Sequence, residues 1–369
     1  MPESTLSPPE VFDPVVSAYD ASASGASTPD VIDLVVVGDC NPDVLVLGDD
    51  VTPAFGQQEK LVPSMSLVVG GSASITAVAA ARLGLSVALV AAVGDDPAGQ
   101  FMLDQMARDG VGTGAVAVRE DTPTGMTVAL SSGGDRAILT ALGAVGSLTA
   151  ADVPAALLGR ARHVHISSYF LLEDSLGPGL ATVMATAQAA GATVSLDTNW
   201  DPSGRWGRGD DRLAAALARA DLLLPNEAEA VRLSGEPDLI AAVPVLTAAG
   251  ARLVVKLGAR GALCADGTRR HRVSVPPVVP VDTTGAGDCF NAGLIAGLLQ
   301  GLGLPEAAAL GCAAGALSTR APGGTGSCPD LCSALALAGT AAVTTPSPST
   351  PASPSGRWRR RRGCGTAHR

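Results

Sequence analysis

Residues 282–293, DTTGAGDCFNAG, constrain this chain more than any other stretch. They set glycines, small residues and one carboxylate, Asp288, directly before an alanine- and leucine-rich run at 292–299 that reads as a helix. The first N–H groups of a helix lack intrahelical partners and sit at the positive end of its dipole, so such a junction favours an anion such as a phosphoryl group. Gly285 and Gly287 let the backbone approach that anion without an intervening Cβ. A carboxylate at this place has two readings. It can cap the helix, or it can accept the proton of a hydroxyl about to attack phosphorus.

The rest of the chain alternates between the two periodicities. Short apolar, β-branched runs at 31–38, 87–92, 163–168, 193–196, 222–224 and 252–257 read as buried parallel strands. Stretches at 97–109, 180–190 and 305–318 read as helices, as does the segment opened by the Gly70, Gly71 pair and closed by Gly84. This alternation implies an α/β sandwich on a mostly parallel sheet. Further short strands at 44–47 and 65–69, and a pair at 114–118 and 124–131, read as a smaller sheet. In open α/β sheets ligands bind beyond the C-terminal ends of the strands. Asp39, Asn41 and Asp43 follow the first strand, and Asp197 and Asn199 follow the run at 193–196. Turn chemistry would also explain the Asn-Pro-Asp cluster.

Several classes are excluded or left open by composition. A net charge of -10 and 3% aromatic residues disfavour nucleic acid as a partner. The longest uncharged run, 175–196, contains glycines, a proline and a glutamine and lacks membrane-helix character. The N-terminus has no basic region followed by an apolar one, so a secretory signal is not expected and the cytoplasm is the default. Seven scattered cysteines do not describe a disulfide framework, and the Cys328, Cys332 pair has no second pair to complete a zinc site. His163 and His165 share one strand face; an HxH pair can bind metal, but no third ligand is clustered with it. No Walker A string is present, which argues against a P-loop kinase. Residues 1–30 and 339–369, rich in Pro, Ser, Thr and Ala and ending in a basic cluster, read as a disordered leader and tail.

The twelve-residue string resembles the C-terminal signature of the ribokinase-like, or PfkB, family of carbohydrate kinases. GGSASITAVAAARLG resembles its N-terminal glycine signature, and Gly38 to Asp43 its sugar-binding segment. The resemblance implies a three-layer sandwich over residues 31–331 with a small β-sheet lid, from about 44–69 and 113–131, whose edges would support a homodimer. It implies a kinase using ATP and Mg²⁺ on a small sugar, with K⁺ as a further cofactor that the residues leave open. By the same resemblance Asp288 would be the catalytic base, and the backbone of Gly285, Ala286 and Gly287 would stabilise the transferring phosphoryl group. Asn41, Asp43, Gly70, Gly71, Asp197 and Asn199 would bind the sugar. Asn226, Lys256, Gly258, Gly261, Thr283, Gly285 and Gly287 would border ATP. Asn226 and Glu229 would organise the metal, although an Asn with Glu three residues on is also a helix capping box. Asp96 matches an acidic position read as structural, and Thr122 to Gly125 would lie in the lid.

Two departures bear on substrate. Ile75 stands where the family has a sugar-contacting Asn, with Ser72 or Ser74 available to compensate, and Asp201 stands where an Arg is frequent, with Arg205 nearby. They keep a nucleoside kinase and a non-catalytic sugar-binding regulator open beside the sugar kinase.

Overall fold

The computed structural model describes residues 31–132 and 135–345. The leader expected at 1–30 lies outside the described residues, as do residues 346–369 of the tail. From the N-terminal side the elements are β1 (Ile32–Val37), β2 (Pro42–Leu47), β3 (Ser64–Val69), α1 (Ser72–Arg82), β4 (Val87–Gly94), α2 (Pro97–Arg108), β5 (Val111–Arg119), β6 (Met126–Ser132) and β7 (Asp135–Ala141). There follow α3 (Ala155–Leu158), β8 (Ala161–Ser167), α4 (Gly177–Ala189), β9 (Thr193–Asp197), α5 (Asp211–Arg219), β10 (Leu222–Leu223), α6 (Glu227–Ser234), α7 (Leu239–Thr247) and β11 (Arg252–Lys256). The last are β12 (Ala262–Asp266), β13 (Arg269–Val273), α8 (Ala286–Leu299), α9 (Leu304–Ser318), α10 (Leu331–Ala338) and β14 (Val343–Thr344).

One sheet runs in the order β14-β13-β12-β11-β10-β9-β8-β1-β4-β5, parallel from β11 to β5 and antiparallel from β11 to β14. Successive side chains of a strand point to opposite faces, and here both faces are covered. Val35 and Val37 of β1 pack with Leu180, Val183 and Met184 of α4, while Leu34 and Val36 pack with Val78 of α1 and Ile295 of α8. That is why the parallel strands read as continuous apolar runs. The expected sandwich on a mostly parallel sheet is the fold observed.

The smaller sheet has the order β3-β2-β6-β7. Its make-up differs from the expected one in a specific way. The run at 114–118 belongs to β5, which pairs parallel with β4 in the main sheet, because α2 supplies the crossover that a parallel neighbour requires. Its place in the small sheet is taken by β7, which pairs antiparallel with β6. Thr122 to Gly125 is likewise tied to the main body, since Thr124 Oγ1 accepts from the Gly94 N–H at 2.8 Å and the Thr124 N–H donates to Asp96 Oδ2 at 2.8 Å. Asp96 also caps α2 through the Gly99 N–H at 2.8 Å, a structural role. Residues 339–345, expected in the tail, include β14, which pairs with β13.

Candidate active site

Five neighbouring parallel strands deliver polar groups to one edge of the main sheet. β1 leads to Asp39 and Asn41, β8 to Ser168, β9 to Asn199, β10 to Asn226, and β11 ends in Lys256. The helices α1 and α8 present their N-termini to the same edge. Asp39 caps α1, its Oδ2 accepting from the Ser72 N–H at 3.0 Å and its Oδ1 from the Ala73 N–H at 2.9 Å.

Asp288 lies in the first turn of α8. That helix starts at Ala286, six residues before the expected run, with Gly285 as N-cap at φ 71° and, among the described residues, no side chain bonded to its first N–H groups. Positive φ at this place suits glycine, and a Cβ on Gly285 would come within 2.6 Å of the Gly324 Cα. The N–H groups of Ala286 and Asp288 make turn bonds to the Thr283 and Gly285 carbonyls at 3.3 and 3.1 Å. Thr283 itself is exposed. Burial pushes the Asp288 carboxyl well above the usual carboxylate range; the Lys256 charge offsets part of this, while Asp197 and Asp39 add to it and Ser72 hydrogen-bonds to it. Asp288 is therefore a carboxyl with raised proton affinity at the head of an uncapped helix.

Beneath it lies a closed polar network. Lys256 pairs with the wholly buried Asp197, Asn291 Nδ2 donates to Asp197 Oδ2 at 2.7 Å, and Lys256 Nζ is 3.4 Å from Asn291 Oδ1. Burial alone would raise Asp197, but the lysine charge holds it below its ordinary value. Two residues expected at the ligands meet each other here. Asp197, expected at the sugar, has its carboxylate engaged by Lys256, Asn291 and the Asn199 N–H at 3.2 Å. Lys256, expected at phosphate, is held by Asp197, because a buried ammonium needs a counter-charge. Its Nζ nonetheless lies only 3.7 Å from where a Cβ on Gly287 would stand, so its charge reaches the anion loop from below. Asn291, one helical turn after Asp288, was not anticipated; its signal was the i, i+3 spacing on one helix face.

Asn199, in a left-handed conformation at φ 56°, accepts from the Ser168 N–H at 2.8 Å and donates to Ser72 Oγ at 3.0 Å. It thus fixes the serine beside Asp288. Asn226 and Glu229 form the full capping box of α6, at 2.7 and 2.9 Å. Burial, with Asp197 adding, pushes Glu229 up to about 7. Gly258 is exposed in a tight turn and Gly261 is buried, leading into β12.

On the small sheet, Asp43 stands at the root of β2. Asn41 Nδ2 donates to Asp43 Oδ1 at 3.3 Å and to Thr127 Oγ1 at 3.2 Å. Burial, and secondarily the Asp39 charge, push Asp43 up to about 7. Gly70 is required by this arrangement, since a Cβ there would fall 1.9 Å from Asp43 Oδ1. Gly71, at φ 76°, adjoins it as the N-cap of α1. Arg136 of β7, which carried no sequence signal, reaches across to donate to Thr284 Oγ1 at 3.0 Å. Thr284 is in turn held by Asp282 Oδ1 at 2.8 Å.

The two departures are structural in this fold. Ile75 is buried against the 321–326 loop, where a Cβ on Gly324 would lie 2.4 Å from its Cδ1. Asp201 orders its own turn by accepting from the Ser203 N–H at 2.7 Å and the Trp206 N–H at 2.5 Å. Arg205 pairs with Glu173 at 2.5 Å. Ser74 Oγ donates to the Asp39 carbonyl at 3.1 Å, leaving Ser72 as the serine near Asp288. His163 and His165 share Ser195 Oγ at 2.7 Å each, and burial lowers them to about 3 and about 4. Among the described residues, no group of three or more His, Cys, Asp or Glu could hold a metal ion, and no helix is long and apolar enough to cross a membrane.

A sequence model described as pfkB family carbohydrate kinase matches residues 31–331. The chain belongs to this family. It is similar to a fructokinase of Klebsiella pneumoniae, 33% identical over 77% of this chain and 95% of the relative. A ribokinase of Bacillus subtilis (strain 168) is 29% identical over 80% of this chain and 96% of the relative. The structure of Arabidopsis thaliana ribokinase complexed with ribose and ATP superposes with a TM-score of 0.70 at 25% identity, covering 84% of this chain and 99% of that one. These matches run along nearly the whole length of the relatives.

Proposed function

We propose that this pfkB-family protein transfers the γ-phosphoryl group of ATP to a hydroxyl of a sugar or sugar-like small molecule. The observation that carries the reading is a buried carboxyl of raised proton affinity, Asp288, in the first turn of a helix whose N-terminus no side chain caps. The substrate hydroxyl attacks the γ-phosphorus, its proton passes to an Asp288 carboxylate oxygen, and the bond from phosphorus to the bridging oxygen breaks to leave ADP. The backbone of Gly285, Ala286, Gly287 and Asp288, with the Lys256 charge beneath, stabilises the negative charge on the transferring group. Asp43 and Asn41 orient the sugar, and the small sheet excludes water over it. Asp197 and Asn199 act one layer back, holding Lys256 and Ser72.

Mg²⁺ keeps its waters and binds largely through phosphate oxygens, so it needs few oxygen groups from the chain. Asn226 and Glu229 would hold those waters. Mg²⁺ when bound supplies neutralisation of the β- and γ-phosphoryl oxygens.

The test is ADP release with Mg·ATP across ribose, fructose, 2-keto-3-deoxygluconate and adenosine, with wild type beside Asp288→Asn. Turnover on one of these that the variant loses supports the reading and separates sugar from nucleoside. Equal silence from both, with a sugar still binding saturably, would instead make this a sensor on a kinase scaffold. We also propose a homodimer through the small sheet, whose Met65, Leu67, Ile138 and Leu139 are exposed. Leu139→Glu should halve the mass seen by light scattering at micromolar concentration; a wild type of monomeric mass would remove the idea.

A further inference from the structure

Cys289 follows Asp288 directly in α8, and its Sγ lies 3.2 Å from the Sγ of Cys328. These residues are separated by 39 positions and no spacing rule joins them. Both thiols point at one acceptor, the Gly324 carbonyl, at 3.5 and 3.4 Å. Gly324 belongs to the 321–326 loop that packs on Ile75 and on Gly285. The same loop is tied to the anion-loop segment by the Gly323 N–H, which donates to Asp282 Oδ2 at 2.8 Å, and to α1 by Arg82, which donates to the Thr325 carbonyl at 2.5 Å. The two sulfurs therefore sit at the seam between the turn that carries Asp288 and the loop that braces it.

We propose that Cys289 and Cys328 form a thiol-oxidation site, closing to a disulfide with hydrogen peroxide and shifting the Asp288 turn as they close. The pair is chemically asymmetric. A hydrogen bond from the Cys289 thiol, with the Arg82 charge assisting against burial and Asp109, holds Cys328 below the ordinary thiol range. Cys289 is pushed well above it by the same bond and by burial. Cys40, Cys264 and Cys312, by contrast, are pushed up to about 12, chiefly by burial. Cys328 is also only partly buried, whereas Cys289 is fully enclosed. The half-exposed thiolate is the one that meets the oxidant.

The step balances as two thiols and one peroxide to one disulfide and two waters. The Cys328 thiolate attacks a peroxide oxygen and the O–O bond breaks, giving a sulfenic acid and hydroxide, which takes up a proton as water. The Cys289 sulfur then attacks the sulfenic sulfur, the S–O bond breaks, and the second water leaves with the Cys289 proton. Two electrons pass from the sulfurs to peroxide. Bringing the sulfurs from 3.2 Å to a bond of about 2.05 Å needs a movement of roughly 1 Å shared by α8 and the loop. A displacement of that size at a reacting group costs about 10²-fold in rate.

The full chain would be treated with hydrogen peroxide, alkylated, digested without reductant and analysed by mass spectrometry, alongside Cys328→Ser and Cys332→Ser. The expected result is a peptide pair joining Cys289 to Cys328 that dithiothreitol releases, that persists in Cys332→Ser and is lost in Cys328→Ser. Turnover should fall at least tenfold on oxidation and return on reduction. Recovery of both residues as alkylated thiols, or linkage of Cys328 to Cys332 instead, overturns the site. A linked pair with undiminished turnover overturns its coupling to Asp288. The linkage is read without any substrate, so failure of the kinase assignment would not be mistaken for failure of the site.

Discussion

The edge of the main sheet and the root of the small sheet both carry a buried carboxyl with raised proton affinity, yet they are held in different ways. Around Asp288 the supporting groups are satisfied within the body of the protein, Lys256 by Asp197 and Asp197 by Asn291. Around Asp43 the partners are Asn41 and residues of the small sheet itself, and Arg136 of that sheet reaches the anion loop at Thr284. The main sheet is apolar on both faces. The small sheet buries Leu45 and Ala129 on one face and leaves Met65, Leu67 and Leu139 of the other face in solvent. The proposed proton acceptor is thus braced by groups of the main body, while the groups proposed to orient substrate stand on a thinner element. On the proposed reading, chemistry belongs to the more densely packed part and specificity to the less densely packed one, which is the part more open to local motion.

The largest effect expected from this division is at Asp288. Asp288→Asn keeps the size and removes the base, so turnover should fall by about 10²- to 10⁴-fold. The melting temperature should not fall, because a buried carboxyl of raised proton affinity is replaced by a neutral amide. A variant that melts early would show that the carboxyl holds the fold together instead. Next is Asp197→Ala, which leaves Lys256 buried without its counter-charge. It should cost about 3–5 kcal/mol of stability by urea unfolding, whereas an unchanged midpoint would mean that the network is not closed.

The main sheet was legible in the sequence because burial on both faces writes continuous apolar runs, as at β1 and β4. The Asp288 junction was legible because glycine, carboxylate and helix stand next to one another in the chain. What could not be read is what the topology brings together. Lys256 and Asp197 are 59 positions apart, and each alone looks like a free strand-end group until the fold sets one against the other. The fate of the run at 114–118 turned on whether α2 formed a crossover or a simple excursion. A half-exposed strand such as β5 has the same alternation in either sheet. Arg136 lies on a strand with no pattern that distinguishes it from a solvated face.

At the root of the small sheet, Gly70→Ala puts a methyl where the Asp43 carboxyl now stands. It should raise KM for the sugar about tenfold or more, since an ångström-scale displacement of an orienting group is costly. The KM for ATP should change much less, as should the melting temperature. Equal losses for both substrates would mean that Asp43 does not belong to the sugar side alone.

The smallest expected effect is also the sharpest probe of Asp43. Its carboxyl titrates near 7 in the folded protein and at 3.8 ordinarily. Between those values the folded chain holds a proton that the unfolded chain has released. Stability must therefore fall as pH rises through that window and level off above it. Glu229, also raised to about 7, contributes a slope of the same sign from the main sheet, so the wild-type decline is shared between the two regions. Asp43→Asn should lessen the decline in melting temperature between pH 4 and 7 without abolishing it. Asp43→Asn combined with Glu229→Gln should flatten it further. If the single variant keeps the full wild-type slope, Asp43 is ionised in the folded protein. The small sheet would then be more open to water at its root than the hydrogen bonds of Asn41 imply.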